Sequence, residues 1–287
     1  MRCDLSASFA TLTLVLFGAV ACAPGPAPVE LPFQPVALPT CNANADGRIE
    51  HSELPFVVGA TARVRVGQNV AVDVNGAPAQ GSARVWDLSR PDPSAQPVGL
   101  LTLEPMAGQW FADRFPNADV AGPLQPAGDG GGSALLGPLA LDDDGVKLLG
   151  SASSDEHPSE GQTLLAYEDP VVLYPFPLEV GVHVVTDTRA INGTAQGVPV
   201  AVADRYTVDV TAHGQVILPD LILDDALRVT VRLQRVPVAG IAVQQVSHVF
   251  VNECLGEVAR FVSPFVPLDA ELPDDFAVAE EVWRLSL

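Results

Sequence analysis

Leu227, Val229, Val231 and Leu233 are separated by Arg228, Thr230 and Arg232, a strict alternation of apolar and polar residues. Successive side chains of an extended strand leave on opposite faces, so the pattern predicts a strand with one buried and one wet face. No long stretch of the chain repeats apolar residues at the 3.6-residue helical period that would compete with it. Pro (26) and Gly (24) are spread through the 287 residues without a repeat and Val is frequent, which predicts many short strands joined by turns. Hydrophobic residues make up 48% and charged residues 17%, enough apolar material for a core and too much for a wholly disordered chain. The expected fold class is all-β: an antiparallel β-sandwich or a curved, partly closed barrel, as one β domain or two.

Ala62, Val64 and Val66 alternate with Arg63 and Arg65, and 70–74 leads to a turn at Asn75-Gly76. With strands at 82–88 and 98–103, residues 55–115 read as a small β domain. Residues 116–164 are rich in Gly, Pro and Asp and read as a connection, with GDGGGS at 128–133 a flexible loop and Asp142-Asp143-Asp144-Gly145 a solvated hairpin tip. Strands resume at 170–185, 204–212, 215–218, 226–233, 240–252, 257–262 and 282–287, so that 165–287 forms a C-terminal β domain.

The formal net charge is −20, and Lys147 is the only lysine. Such a surface repels phosphate backbones, which excludes nucleic acid as a partner. The carboxylates serve solubility or divalent-cation binding.

At the N-terminus, Arg2 precedes an apolar stretch over 9–20, too short to span a membrane permanently. It ends in Ala19-Val20-Ala21-Cys22, which resembles a bacterial lipobox, with Ala19 where Leu is usual. The resemblance implies a signal peptide over 1–21, a lipidated Cys22 and a membrane anchor; the alternative is an ordinary signal peptide cleaved near Ala21 or Ala23. The recurring Pro of residues 22–40 favours an extended tether. The expected location is the bacterial cell envelope, lipid-anchored at the outer membrane or cell surface. Cys3 leaves with the signal and Cys22 takes the lipid, so Cys41 and Cys254 remain for one disulfide in an oxidising compartment. The alternative is two buried free thiols; no His lies at ligand spacing for a two-Cys metal site.

Residues 41–54 contain Asn42-Ala43-Asn44-Ala45-Asp46-Gly47-Arg48-Ile49-Glu50-His51-Ser52-Glu53, which resembles an EF-hand loop. Asn42, Asn44 and Asp46 fall at positions 1, 3 and 5, Gly47 at the sharp turn, and Ile49 at the apolar eighth position. The resemblance implies Ca²⁺ held by Asn42, Asn44, Asp46, the Arg48 carbonyl and a bidentate Glu53, with Glu50 acting through water. Asn at position 1 lowers the charge of the site, which implies a dissociation constant on the order of 0.1–1 mM, in the range of extracellular modules. The alternative is an Asx-rich turn ending in a short helix.

The run PFPLEVG, a strand with Tyr206, HGQVILPDLILDDALRV and VSHVFVNECLGEVAR is similar to the β domain of uncharacterised bacterial secreted proteins and lipoproteins. The resemblance covers about 120 residues, implies a β fold there, and carries no activity with it. No G-x-S-x-G elbow, HExxH or phosphate loop is present, and His51, His157, His183, His213 and His248 are scattered. No catalysis is expected. The functional expectation is a cell-envelope lipoprotein acting as a calcium-stabilised binding or structural module, in contact with the membrane through its anchor and with an unknown protein or apolar ligand. The rival expectation is an envelope carrier holding a lipid or other apolar ligand in a curved sheet.

Overall fold

The computed structural model describes residues 41–54, 56–90, 96–125 and 133–286. The expected leader over 1–21, Cys22, the tether over 22–40 and most of the loop over 128–133 lie outside the described residues. Among the described residues no helix is long and apolar enough to cross a membrane.

The first strands are β1 (Arg48–Ile49), β2 (Thr61–Ala71), β3 (Ala77–Pro78), β4 (Arg84–Asp87), β5 (Val98–Thr102) and β6 (Glu104–Pro105). They are followed by β7 (Val120–Gln125), β8 (Leu135–Asp142), β9 (Gly145–Ser153), β10 (Leu164–Pro175), β11 (Leu178–Glu179) and β12 (His183–Ala195). The last are β13 (Val198–Ile217), β14 (Ile222–Pro237), β15 (Val243–Asn252), β16 (Gly256–Val262), β17 (Val266–Pro267) and β18 (Val278–Leu285). Short 3-10 turns lie at His51–Glu53 and Ala112–Arg114.

Apart from the small β1–β11 pair, the strands form one 16-stranded sheet, nearly closed into a barrel. Its order is β5-β2-β18-β16-β15-β14-β13-β12-β10-β9-β8-β7-β6. The two edges, β5 and β6, are consecutive in the chain and separated only by Leu103. One segment therefore pairs with β2 through its first half and with β7 through its second. Leu103 itself exchanges backbone hydrogen bonds with Gly59 and Ala60.

The β2 strand pairs with β18 over seven residue pairs, from Val278↔Ala71 to Leu285↔Val64. Residues 55–115 thus enter the same sheet as 165–287 instead of forming a small domain of their own. Residues 116–164, read from composition as a connection, supply β7, β8 and β9. Glycine misled that reading, because here it serves close approach within strands. Gly150 has φ of +156°, and a Cβ there would lie 2.0 Å from the Leu165 carbonyl oxygen. The acidic turn at 142–145 is the β8–β9 hairpin tip, as expected.

Two cores use opposite faces of the sheet. The inner one contains Tyr206, Val208, Val210, Leu227, Val229, Val249 and Val251. The outer one contains Trp86, Val246, Phe250, Phe261, Phe276 and Val282. The β15 strand is consequently buried on both sides. The face of β14 expected to be wet is covered as well. Thr230 is buried, Arg228 donates to the Val74 carbonyl at 2.5 Å, and Arg232 pairs with Asp274. Segment 264–277 lies over this face, and Gln244 Nε2 donates to its Leu268 and Ala270 carbonyls at 3.3 and 2.7 Å. An arginine head group can reach the covering backbone while its stem packs on the sheet, so alternation reads as a wet face although the face is roofed.

His248 holds the same roof. It is 1% exposed, stacked on Phe276, with one ring nitrogen 2.6 Å from the Asp274 carbonyl and the other 3.0 Å from the Thr230 hydroxyl. A carbonyl only accepts, so Nε2 carries the proton and Nδ1 accepts from Thr230. Burial pushes the imidazole pKa down to about 4; the Asp274 carbonyl opposes the shift, and the Arg228 charge adds to it. The folded value lies below the unfolded value of about 6.5, so the neutral ring stabilises the fold fully above pH 6.5 and the contribution drains away as the pH falls towards 4. The loss amounts to about 2 kcal/mol by pH 5. Urea unfolding at pH 7.5 and pH 5 should show this difference in the native chain, and His248→Gln should flatten it.

Candidate functional site

The loop over 41–54 is built from short-range hydrogen bonds that its sequence encodes. Asn44 Oδ1 accepts from the Asp46 N–H at 2.8 Å, and Asp46 Oδ1 accepts from the Arg48 N–H at 3.0 Å, so each side chain closes a turn two residues on. Ala45 and Gly47 have φ of +55° and +82°, and Gly47 takes the left-handed conformation at no steric penalty. The chain then straightens into β1, which pairs with β11 through Arg48↔Glu179 and Ile49↔Leu178. Ile49 enters the inner core beside Leu54 and Leu178. Glu50 opens the 3-10 turn, and its N–H donates to Glu53 Oε2 at 2.9 Å in a capping box.

The loop is clasped to the barrel by the β15–β16 hairpin. Cys41 and Cys254 form a disulfide, with their Cα atoms 5.5 Å apart. The Cys254 N–H donates to the Glu53 carbonyl at 2.7 Å. Beside it, Glu253 Oε2 accepts from the Asn44 and Ala45 N–H groups at 2.7 and 3.2 Å, while Asn44 Nδ2 donates to Glu53 Oε1 at 3.0 Å. Two carboxylates from opposite ends of the sequence therefore converge on Asn44. Glu53 is 7% exposed and Glu253 4%. Among the described residues neither makes an ion pair with Lys, Arg or His.

Of the sequence-derived ligand set, the structure joins Asn44 to Glu53 by a hydrogen bond and Asn44 to Asp46 through the turn. Asn42 and Asp46 are exposed. The Arg48 side chain turns away to Glu50 at 2.8 Å. Among the described residues no three His, Cys, Asp or Glu side chains are gathered so as to hold a metal; an EF-hand-like set would draw instead on asparagine amides and a backbone carbonyl. Sequence reasoning missed Glu253. The available signal was its place beside Cys254, the residue paired on paper with the start of the loop. His51, at the loop's far end, stacks on Phe176 and faces Asp143 Oδ1 at 3.3 Å.

No protein-family model, no curated protein and no solved structure matches this chain. What stands from the fold is an all-β domain with no family attached to it.

The clasp closes a loop of 213 residues. In the chain-entropy account such a link stabilises by about 5 kcal/mol. Replacing both Cys41 and Cys254 with Ser should lower the urea midpoint correspondingly, and dithiothreitol should reproduce the effect in the native chain but not in the variant.

Proposed function

We propose that this chain is an exported, lipid-anchored binding module of the bacterial cell envelope whose loop over 41–54 takes up one structural Ca²⁺. The observation that carries the reading is the pair of buried carboxylates, Glu53 and Glu253, without a cationic partner among the described residues. Removing a carboxylate from water is expensive, and the N–H bonds it accepts offset only part of that cost. A divalent cation offsets the rest. Oxygen donors suited to a hard cation are at hand in Asn42, Asn44, Asp46, the Arg48 carbonyl and Glu53, and the Asn44 and Asp46 oxygens that close the turns each keep a second lone pair. The Cys41–Cys254 disulfide supports export, since such bonds persist in oxidising compartments. The Ala19-Val20-Ala21-Cys22 run supplies the anchor in this reading.

A carrier of a lipid or other apolar molecule is the second reading, and the curvature of the nearly closed sheet favours it. Against it, Val208, Val210, Leu227 and Val229 already pack on one another where such a ligand would lie. Lipid detected by native mass spectrometry of the purified protein would decide for the carrier.

Thermal melts in EDTA and in millimolar Ca²⁺ test the cation. At ten times the dissociation constant the ion contributes about 1.4 kcal/mol, a rise of roughly 3–5 °C for a domain of this size. Glu53→Gln should lose the rise. Equal melting temperatures in EDTA and Ca²⁺ would remove calcium from the reading. Cys22→Ser should release the protein from the membrane fraction, and continued sedimentation with membranes would remove the anchor.

A further inference from the structure

The barrel has a weak seam. The β10 and β12 strands share a single ladder pair, Leu164↔Thr194, although they are neighbours in the sheet. Both bulge at this point. The β10 strand leaves its other partner between Ala166 and Val171, and β12 leaves its own between Ala190 and Gly193. Bulges re-aim side chains and end pairing, and they gather near functional sites. The Thr188 hydroxyl stands in for the lost ladder, accepting from the Asp169 N–H at 3.2 Å and donating to its carbonyl at 2.7 Å.

A groove of about 540 Å³ lies on this seam, within the usual range for small-ligand sites. Asp204 is among its lining residues, but its side chain is 0% exposed and, by strand alternation, turns to the inner face with Tyr206, away from Ala203 and Arg205. Arg235 grips Asp204 through Nε at 2.8 Å and NH2 at 2.6 Å, and the Tyr167 hydroxyl donates to it at 3.0 Å. Tyr167 and Tyr206 hydroxyls lie 2.9 Å apart, and burial raises both tyrosine pKa values, so both stay protonated. Behind the groove, on the inner face of the sheet, these groups form a fixed, charge-balanced polar network. On the rim, Arg205 holds Asp187 in a fork with bonds of 2.7 and 3.0 Å, a second neutral pair. That leaves Glu168, Asp169, Arg189 and the Gln234 amide as the polar groups open to a ligand. All three charged residues are exposed, and among the described residues none forms an ion pair.

We propose that this groove binds a neutral, polyhydroxylated ligand, a short oligosaccharide, and so names the ligand class of the binding module on which the inference rests. A hydroxyl both donates and accepts, and so satisfies carboxylates and a guanidinium set side by side. A polyanion meets Glu168 and Asp169 on a chain of net charge −20 and is repelled. Val236 and Leu268, also in the lining, offer an apolar surface to the C–H face of a sugar ring.

The test is saturation-transfer NMR on the purified mature chain with maltotetraose, cellotetraose and chitotetraose, and with spermidine as a cationic control. At least one tetrasaccharide should receive saturation, and Arg189→Ala and Asp169→Ala, both at exposed positions, should each weaken its binding about tenfold. Glu53→Gln should leave it unchanged, so that failure of the calcium site and failure of the groove are read separately. Saturation of none of the three sugars overturns the proposal, as does sugar binding indifferent to both groove variants. Saturation confined to spermidine would make the groove a cation site and overturn the sugar assignment.

Discussion

The segment over 98–105 serves as both edges of the sheet, and the rest of the architecture follows from that constraint. A sheet edge is a row of unpaired N–H and C=O groups, prone to recruit other chains. Here β5 satisfies one edge against β2 and β6 the other against β7, with Leu103 as the joint. Closure obliges the strands to tilt and stagger, and side chains then alternate between an enclosed interior and an outside. The interior takes the inner core. The outside would be half apolar, and the β3–β4 region together with segment 264–277 covers it, which is why a second core exists. Gly214 shows how tightly that cover is laid. The β4 strand runs parallel to the end of β13, and a Cβ on Gly214 would sit 1.9 Å from the Arg84 carbonyl oxygen.

A closed sheet of unequal strands cannot keep perfect register everywhere. Register shifts occur in several of its ladders, and between β10 and β12 the ladder is reduced to one pair. The irregularity exposes Glu168 and Asp169 on the bulge while Tyr167 turns inward to Asp204 and Tyr206. Open charged side chains thereby stand on one face of the sheet and a charge-balanced polar network on the other.

The legible part of the fold was whatever repeats at short range. The alternation at 226–233 falls within β14, and the strands read at 204–212 and 215–218 are two parts of the single strand β13. Gly214, between them, admits a neighbouring backbone without ending the strand. The strand pair at 183–203 was missed in large part because Asn192-Gly193 resembles a turn and is instead a bulge inside β12. The joining of residues 61–71 to 278–285 has no local signature at all, since pairing across such a distance is settled by closure of the whole sheet. The clasp was legible in its cysteines and its Asx turns. Its second carboxylate, Glu253, was not, because only the folded hairpin sets it over the Asn44 N–H.

Charge is handled inside this barrel with some consistency, and the clasp departs from the pattern. Asp204 is matched by Arg235 and two tyrosines. Glu257 is held by Arg260 through bonds of 2.6 and 2.7 Å and by the Tyr174 hydroxyl, while Arg260 also covers the Trp283 ring at 5.5 Å. Buried Glu281 has its carboxyl pKa raised, chiefly by burial, with the Arg260 charge opposing the shift. Each of these acids, buried or half-buried, has an arginine in its electrostatic neighbourhood. Glu53 and Glu253 lie under the loop with amide hydrogens alone. Among the described residues the clasp is thus where buried carboxylates are held by amide donors in place of a guanidinium, and the proposed Ca²⁺ would supply there the positive charge that arginine supplies elsewhere.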